Sequence, residues 1–165
     1  MNMNQLTEKA QEAVVAAQSL AGELSHAEIT PEHVLVALIE QQGGIVPSLL
    51  RKLNVDPARA AKDARGLLSA IPQVRGGDLR LSPRTQLVFE AAQAEAKRLQ
   101  DDFVSTEHLF VAIATETGRS PAAQYLQRQG VTKDALYAAL TAEEREHYDA
   151  LAKLQRSGAT ANSAA

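Results

Sequence analysis

The feature that most constrains this 165-residue chain is an internal repeat with a period of 75 residues. Residues 6–39 align without a gap on residues 81–114, and 11 of these 34 pairs are identical. The identical pairs are Leu6/Leu81, Gln11/Gln86, Ala16/Ala91, Ala17/Ala92, Gln18/Gln93, Ala21/Ala96, Leu24/Leu99, Glu32/Glu107, His33/His108, Val36/Val111 and Ala37/Ala112. A period of this length is one supersecondary unit used twice, so we expect a pseudo-symmetric pair of units. Two copies of a scaffold are a simpler interpretation than two copies of a catalytic centre.

Composition narrows the class of protein further. The chain is 45% hydrophobic but only 4% aromatic, which favours closely packed helices over sheets. It has no cysteine, so it can form no disulfide and no thiolate metal site. A net charge of -3 with interspersed signs argues against a nucleic-acid partner. With no membrane-length apolar run and no signal-peptide pattern, the sequence predicts a soluble cytoplasmic protein and no membrane partner.

Helical periodicity predicts the first two equivalent helices. The first should run from about Glu8 to Leu24 behind Thr7 as its cap, and the second should begin at Pro83 behind Ser82. The predicted inward residues of the first helix are Leu6, Ala10, Ala13, Val14, Ala17, Ala21 and Leu24. Those of the second are Leu87, Val88, Ala91, Ala94 and Leu99.

The remaining pattern predicts an all-α fold of about eight helices in two four-helix repeats with a bundle-like interior. Segments 34–39 and 109–114 are apolar throughout, which is typical of central helices. Shorter helices follow at 46–53 and 121–128, and a last helix in each copy begins near Pro57 or after Thr132. We expect one domain over 4–141, with repeat one at about 6–72, a connector at 73–80 and repeat two at about 81–141. A charged helical extension at 142–156 and a flexible tail at 157–165 complete the prediction.

Catalytic motifs are absent from the sequence. The chain contains no Gly-Lys pair and hence no Walker-type phosphate loop, and it contains no His-Glu-x-x-His pair. The doubled Glu-His couples at 32–33 and 107–108 suggest a metal site, but adjacent helical residues diverge by about 100° and no third ligand is near in sequence. We interpret the couples as first-turn residues that support the helix caps. The sequence therefore predicts no enzyme activity, no metal and no cofactor.

Several motifs resemble a known family. The run Ile29-x-Pro31-Glu32-His33-Val34-Leu35-x-Ala37-Leu38 and its second copy Ser105-Thr106-Glu107-His108-Leu109-Phe110-Val111-Ala112-Ile113 resemble the Clp repeat. That repeat occurs in tandem at the N-terminus of the ClpA, ClpB and ClpC AAA+ unfoldases. The text at 67–74 and 104–108 is most similar to the ClpB disaggregases, and the resemblance covers about residues 4–141.

The resemblance implies a module that binds unfolded or aggregated polypeptide in a hydrophobic groove and delivers it to an ATPase ring. The family's functional positions fall on Thr7, Asp101 and Glu107. Each also has a purely structural interpretation: Thr7 is a sufficient cap, and the two acids are ordinary turn and first-turn residues.

The candidate residues for the hydrophobic groove all belong to repeat two. Phe89 and Leu87 are candidates to line it, as are Leu109 and Phe110, although core packing is the better interpretation for the last two.

A second function class remains open, namely docking of an adaptor or regulator through a charged site such as residues 143–156. Tyr148-Asp149-Ala150-Leu151-Ala152-Lys153 resembles the stretch that enters the first ATPase module, but Leu154-Gln155-Arg156 departs from it. The chain is thus either an excised domain or a stand-alone protein that modulates a full-length Clp unfoldase, and the departure favours the latter. A purely structural role in ring assembly is a third, weaker hypothesis.

Overall fold

The computed structural model describes residues 2–142, which form an all-α domain. A short 3₁₀ turn at Met3–Gln5 precedes the helices. The helices and strands are α1 Glu8–Glu23, β1 Glu28–Ile29, α2 Pro31–Glu40, α3 Ile45–Lys52, α4 Pro57–Leu68, β2 Arg80–Leu81, α5 Pro83–Arg98, α6 Thr106–Ala114, α7 Pro121–Arg128 and α8 at 133–142. The predicted all-α class and two sets of four helices are confirmed. The predicted charged extension and tail lie almost entirely outside the described residues.

Helix starts follow the capping residues that the sequence contains. The Thr7 hydroxyl accepts a hydrogen bond from the Ala10 amide (3.2 Å), and the Ser82 hydroxyl accepts one from the Thr85 amide (3.1 Å). These bonds satisfy amides that have no partner inside their helices. Both predicted caps of α1 and α5 are therefore confirmed.

The prediction for the inward face of α5 was wrong for four of its five residues. Leu87 is 63% exposed and Leu99 is 45% exposed, and Ala91 and Ala94 also face solvent. Of the predicted residues only Val88 is buried. The residues that α5 buries are Thr85, Val88, Phe89, Ala92 and Ala96.

The two apolar helices form the centre of the molecule. In α2 every residue except Glu40 is buried, and in α6 every residue except Glu107 is buried. Helix α2 packs against α1, α3 and α4 of its own repeat and against α6 and α7 of the other. The core is one continuous cluster that draws residues from both repeats.

Two short parallel pairings join the repeats crosswise, a feature that the sequence did not predict. Ile29 of repeat one pairs with Leu81 of repeat two, and Leu6 pairs with Val104. Because Leu6 and Leu81 are equivalent, as are Ile29 and Val104, the two pairings are related by the pseudo-symmetry. The repeats are thus joined by one two-stranded sheet and by one equivalent single-residue bridge.

A charged cluster also connects the repeats through α5. The Arg84 guanidinium donates to both carboxylate oxygens of Glu32 (3.0 and 2.9 Å) and to both of Glu116 (2.9 and 2.9 Å). Glu32 also accepts from the Ala122 amide at the start of α7 (3.1 Å). Glu32 is 2% exposed, so its charge depends on these donors for solvation.

Within residues 2–142, no single helix is long and apolar enough to cross a membrane. Helices α2 and α3 reach the required length and composition only when joined across an 86° bend.

Candidate functional site

The residues selected from the family motif gather around the loop between α5 and α6, which we call the 100–104 loop. Helix α5 ends because Gln100 takes a left-handed conformation with φ of 60°, which directs the Asp101 amide back to the Ala96 carbonyl (2.8 Å). Val104 then pairs with Leu6, and Ser105 begins α6. The loop is thus fixed at both ends by backbone hydrogen bonds.

Asp101 is held in place by a histidine seven residues further along the chain. The Ser105 amide donates to His108 Nδ1 (2.9 Å), which leaves the proton on Nε2. His108 Nε2 donates to the Asp101 carboxylate (2.8 Å), whose side chain stays 50% exposed. The prediction that the histidines support the helix caps is confirmed by the bond from the Ser105 amide to His108 Nδ1. The equivalent bond in repeat one runs from the Thr30 amide to His33 Nδ1 (2.9 Å).

Thr7 lies directly beside this loop. Its amide donates to the Val104 carbonyl (2.9 Å), and the Val104 amide donates to the Gln5 carbonyl (2.8 Å). The Thr7 hydroxyl is meanwhile occupied as the α1 cap. Thr7 therefore positions the loop through its backbone, and its side chain serves α1.

Glu107 is a half-buried acid in the first turn of α6, three residues after Val104. Among the described residues its carboxylate has no hydrogen bond or ion pair, whereas its repeat-one equivalent Glu32 is bound by Arg84. A first-turn position favours negative charge through the helix dipole. Of the two equivalent glutamates, only Glu107 can accept donors from another molecule.

Phe103 is the residue of this site that sequence reasoning missed. It is 52% exposed, and it lines a shallow cleft of about 240 Å³. The other lining residues are Gln5, Gln93, Ala96, Lys97, Asp101, Asp102 and Val104. The sequence position of Phe103 could have identified it, because it is one of only three phenylalanines and follows two aspartates in a polar segment. Aromatic side chains are enriched at protein–protein interfaces relative to the rest of the protein surface.

The structure does not bring the other two selected residues to this loop. Phe89 is 4% exposed and belongs to the core, so it presents almost no surface to a ligand. Leu87 is well exposed but lies six residues before Gln93 on α5, which at about 100° per residue places it on a different face. Leu109 and Phe110 are fully buried, which confirms the core interpretation for both.

The same turn in repeat one has different chemistry. His26 replaces Asp101, and its Nδ1 lies 2.8 Å from His33 Nε2. Burial and the neighbouring His26 together lower the pKa of His33 to about 4, while Glu32 acts in the opposite direction. His33 is therefore neutral in the folded protein near pH 7, with its Nε2 proton donated to His26.

Metal-ligating side chains do not cluster in the described part of the chain. No group of three His, Cys, Asp or Glu side chains among residues 2–142 is arranged to hold a metal ion. The 100–104 loop offers an exposed ring and the acceptor groups of Asp101 and Glu107. These groups suit apolar side chains and N–H donors.

Comparison with known proteins shows the family to which the chain belongs. The model of the Clp repeat (R) N-terminal domain matches residues 5–129, and the chain belongs to that family. A curated relative is the chaperone protein ClpB of Bdellovibrio bacteriovorus, which is 40% identical over 138 residues. The match covers 82% of this chain and 16% of the relative, so the chain corresponds to a small part of a much longer protein.

Solved structures share the fold. The Hsp104 N-terminal domain from Candida albicans superposes with a TM-score of 0.71 at 18% identity, covering 82% of this chain and 88% of that one. A ClpV N-domain in complex with a VipB peptide gives a TM-score of 0.69 at 19% identity, covering 81% and 83%. At these identities the likeness shows the fold alone.

Proposed function

We propose that this domain is the non-enzymatic substrate-binding module of a Clp-type protein-unfolding chaperone. It captures unfolded or aggregated polypeptide and delivers it to a AAA+ ATPase ring in the cytoplasm. The observation that carries the proposal is the 40% identity to ClpB over 82% of this chain. The ATPase activity of such a chaperone would belong to residues outside this chain, which has no Walker-type loop.

The geometry of the 100–104 loop supports polypeptide capture. Unfolded chains differ from folded ones in exposing apolar side chains and unpaired backbone amides. Phe103 offers apolar contact to the former, while Asp101 and Glu107 offer acceptors to the latter. A shallow site of this kind binds weakly and tolerates many sequences, which suits a module that must release its clients.

Substitution of the loop residues tests the proposal. We expect Glu107→Ala and Phe103→Ser each to weaken binding of a permanently unfolded polypeptide by about three- to tenfold, because each removes one contact worth about 1 kcal/mol. Fluorescence anisotropy measures the affinity, and thermal unfolding checks that both variants remain folded. Glu90→Ala, which removes the same charge from the exposed face of α5, is the control. Equal affinities for Glu107→Ala, Phe103→Ser and parent would remove this loop from the binding site.

Docking of one specific partner is a second candidate function. It is favoured by the ClpV N-domain, a neighbour in fold whose complex is with a defined VipB peptide. In that case the chain would serve an adaptor or modulate a full-length Clp unfoldase. Selectivity separates the two functions, because a docking domain binds one partner peptide far more tightly than an unrelated unfolded polypeptide, while a capture site tolerates many sequences.

A further inference from the structure

A groove lies in repeat one, whereas the 100–104 loop belongs to repeat two. Helices α1, α2 and α4 enclose a space of about 420 Å³, which we call the repeat-one groove. Its volume lies in the range of sites that take ligand side chains. Its apolar lining consists of Ala13, Ala16, Leu20, Val36 and Ala37.

The rim of the repeat-one groove is acidic. Glu12, Glu23 and Glu40 line it, and Arg65 is the only basic residue among the lining residues. Arg65 binds Glu40 through two hydrogen bonds (2.5 and 2.8 Å) and also interacts electrostatically with Glu23, so one basic residue faces three acids on this rim. Glu12 lies 3.6 Å from the exposed Lys9, and Glu23 has no ion pair among the described residues.

Two of these acids stand where a helix disfavours negative charge. Glu23 is the last residue of α1 and Glu40 is the last residue of α2. The C-terminal end of a helix carries a partial negative charge, so an acid there costs stability and adds to the negative potential. The groove therefore combines an apolar floor with a field that attracts cations.

Comparison of the repeats shows that the scaffold does not require this chemistry. At the positions of Glu12 and Glu23, repeat two has Leu87 and Arg98. At the position of the apolar Leu20 it has Glu95, whose carboxylate accepts from Arg98 (2.7 Å) and from the Tyr137 hydroxyl (2.5 Å). The same helix face is thus acid-rimmed with an apolar floor in one repeat and ion-paired in the other.

Gln41 also lines the groove. Its amide nitrogen donates to the Lys9 carbonyl (2.8 Å) and to the Glu12 carboxylate (3.4 Å), and its side-chain oxygen is buried.

We propose that the repeat-one groove binds a basic amphipathic polypeptide segment. Its apolar side chains contact the exposed Ala16 and the accessible edges of Leu20 and Ala37, and its lysine or arginine side chains pair with Glu12 and Glu23. This inference rests on the proposed polypeptide-binding function and adds a second site with a charge preference. Client segments that are apolar and basic would engage the repeat-one groove, while extended segments with exposed apolar side chains would engage Phe103 of the 100–104 loop.

A pair of synthetic peptides tests this site. The first has leucines at i, i+3, i+4 and i+7 flanked by lysines, and the second has glutamate at every lysine position. We expect the domain to bind the basic peptide and not the acidic one. Glu12→Gln combined with Glu23→Gln should weaken the basic peptide by about two- to tenfold, the range expected for exposed ion pairs. The double variant Glu90→Gln with Asp134→Asn removes the same net charge elsewhere and should leave the affinity unchanged.

Three outcomes would overturn the inference. Equal binding of both peptides would remove the charge preference, and equal loss in both double variants would reduce the effect to general attraction by net charge. Unchanged affinity after Glu12→Gln and Glu23→Gln would exclude the groove. The proposed function is tested separately by measuring how Glu107→Ala and Phe103→Ser change the affinity for unfolded polypeptide. The groove variants do not alter Glu107 or Phe103.

Discussion

Thr7 shows how a motif residue can act through structure rather than through contact with a ligand. Its hydroxyl caps α1, and its amide fixes the 100–104 loop through Val104. Only the first of these depends on the side chain. The family position therefore has an indirect role in this structure, in which Thr7 positions the 100–104 loop.

We expect Thr7→Ala to destabilise the domain by about 1 kcal/mol, because the Ala10 amide loses its acceptor while the backbone bridge remains. Thermal or urea unfolding measures the change. Thr7→Ser retains the hydroxyl and is the matched control. If the Thr7→Ala variant unfolds at the same urea concentration as the parent, the capping assignment is wrong.

His33 gives the domain a defined dependence of stability on pH. The pKa of His33 is about 4 in the folded protein and near 6.5 in the unfolded chain. Between these values the unfolded state binds a proton that the folded state does not. The stability contribution is therefore complete above pH 6.5 and is lost as the pH falls towards 4, by on the order of 3 kcal/mol in total.

Replacement of His33 by glutamine tests this dependence. The glutamine side chain can still accept from the Thr30 amide, as in a capping box, but it does not titrate. We expect His33→Gln to lose less stability than the parent between pH 6.5 and pH 4 in urea unfolding at several pH values. An identical decline in both proteins would show that other groups are responsible.

At the scale of secondary structure, helix α5 shows what the sequence could and could not predict. Its limits and its Ser82–Pro83 start follow from local chemistry and were predicted correctly. Its buried face was not, because Leu87, Ala91, Ala94 and Leu99 also form an apolar series at helical spacing. The repeat resolves the ambiguity, since the buried residues Val88, Phe89, Ala92 and Ala96 align with Ala13, Val14, Ala17 and Ala21 of α1.

The two short strands were beyond sequence reasoning for a different reason. Each has only two residues, and its partner belongs to the other repeat. A pattern with a period of two residues cannot be recognised in so short a segment. The position of Phe103 in the site could not be predicted for the same reason. It depends on the pairing of Val104 with Leu6, which belongs to the other repeat.

The faces of α5 are tested by two substitutions two residues apart. Phe89→Ala should cost about 3–5 kcal/mol, because it empties a core position. Leu87→Ala should change stability by no more than about 0.5 kcal/mol, because Leu87 is exposed. Urea unfolding of both variants measures the difference. A larger loss for Leu87→Ala than for Phe89→Ala would mean that α5 is rotated relative to the structure.

At the scale of the whole molecule, the two repeats form one unit rather than two linked domains. The strands pair crosswise, the central helices α2 and α6 are in contact, and the core is continuous. Arg84 adds a charged link between the repeats through Glu32. The pair of repeats thus holds the 100–104 loop and the repeat-one groove in fixed relative positions.

We expect Arg84→Ala to destabilise the whole domain by about 2–4 kcal/mol, because it leaves the buried Glu32 carboxylate without its main partner. The value is below that of a fully buried pair, since the Arg84 side chain is 35% exposed. Lys9→Ala, at the equivalent and exposed position of repeat one, is the control and should cost little. Global unfolding followed by circular dichroism measures both, and equal effects would show that the link carries no special energy.

The central claim is that this domain recognises unfolded polypeptide at the 100–104 loop. An amide-NMR titration with a permanently unfolded polypeptide tests it most directly, with the natively folded form of the same polypeptide as control. The account predicts shifts localised to Asp101, Phe103, Val104 and Glu107 with the unfolded form only. Equal shifts with both forms, or no shifts at these residues, would contradict it.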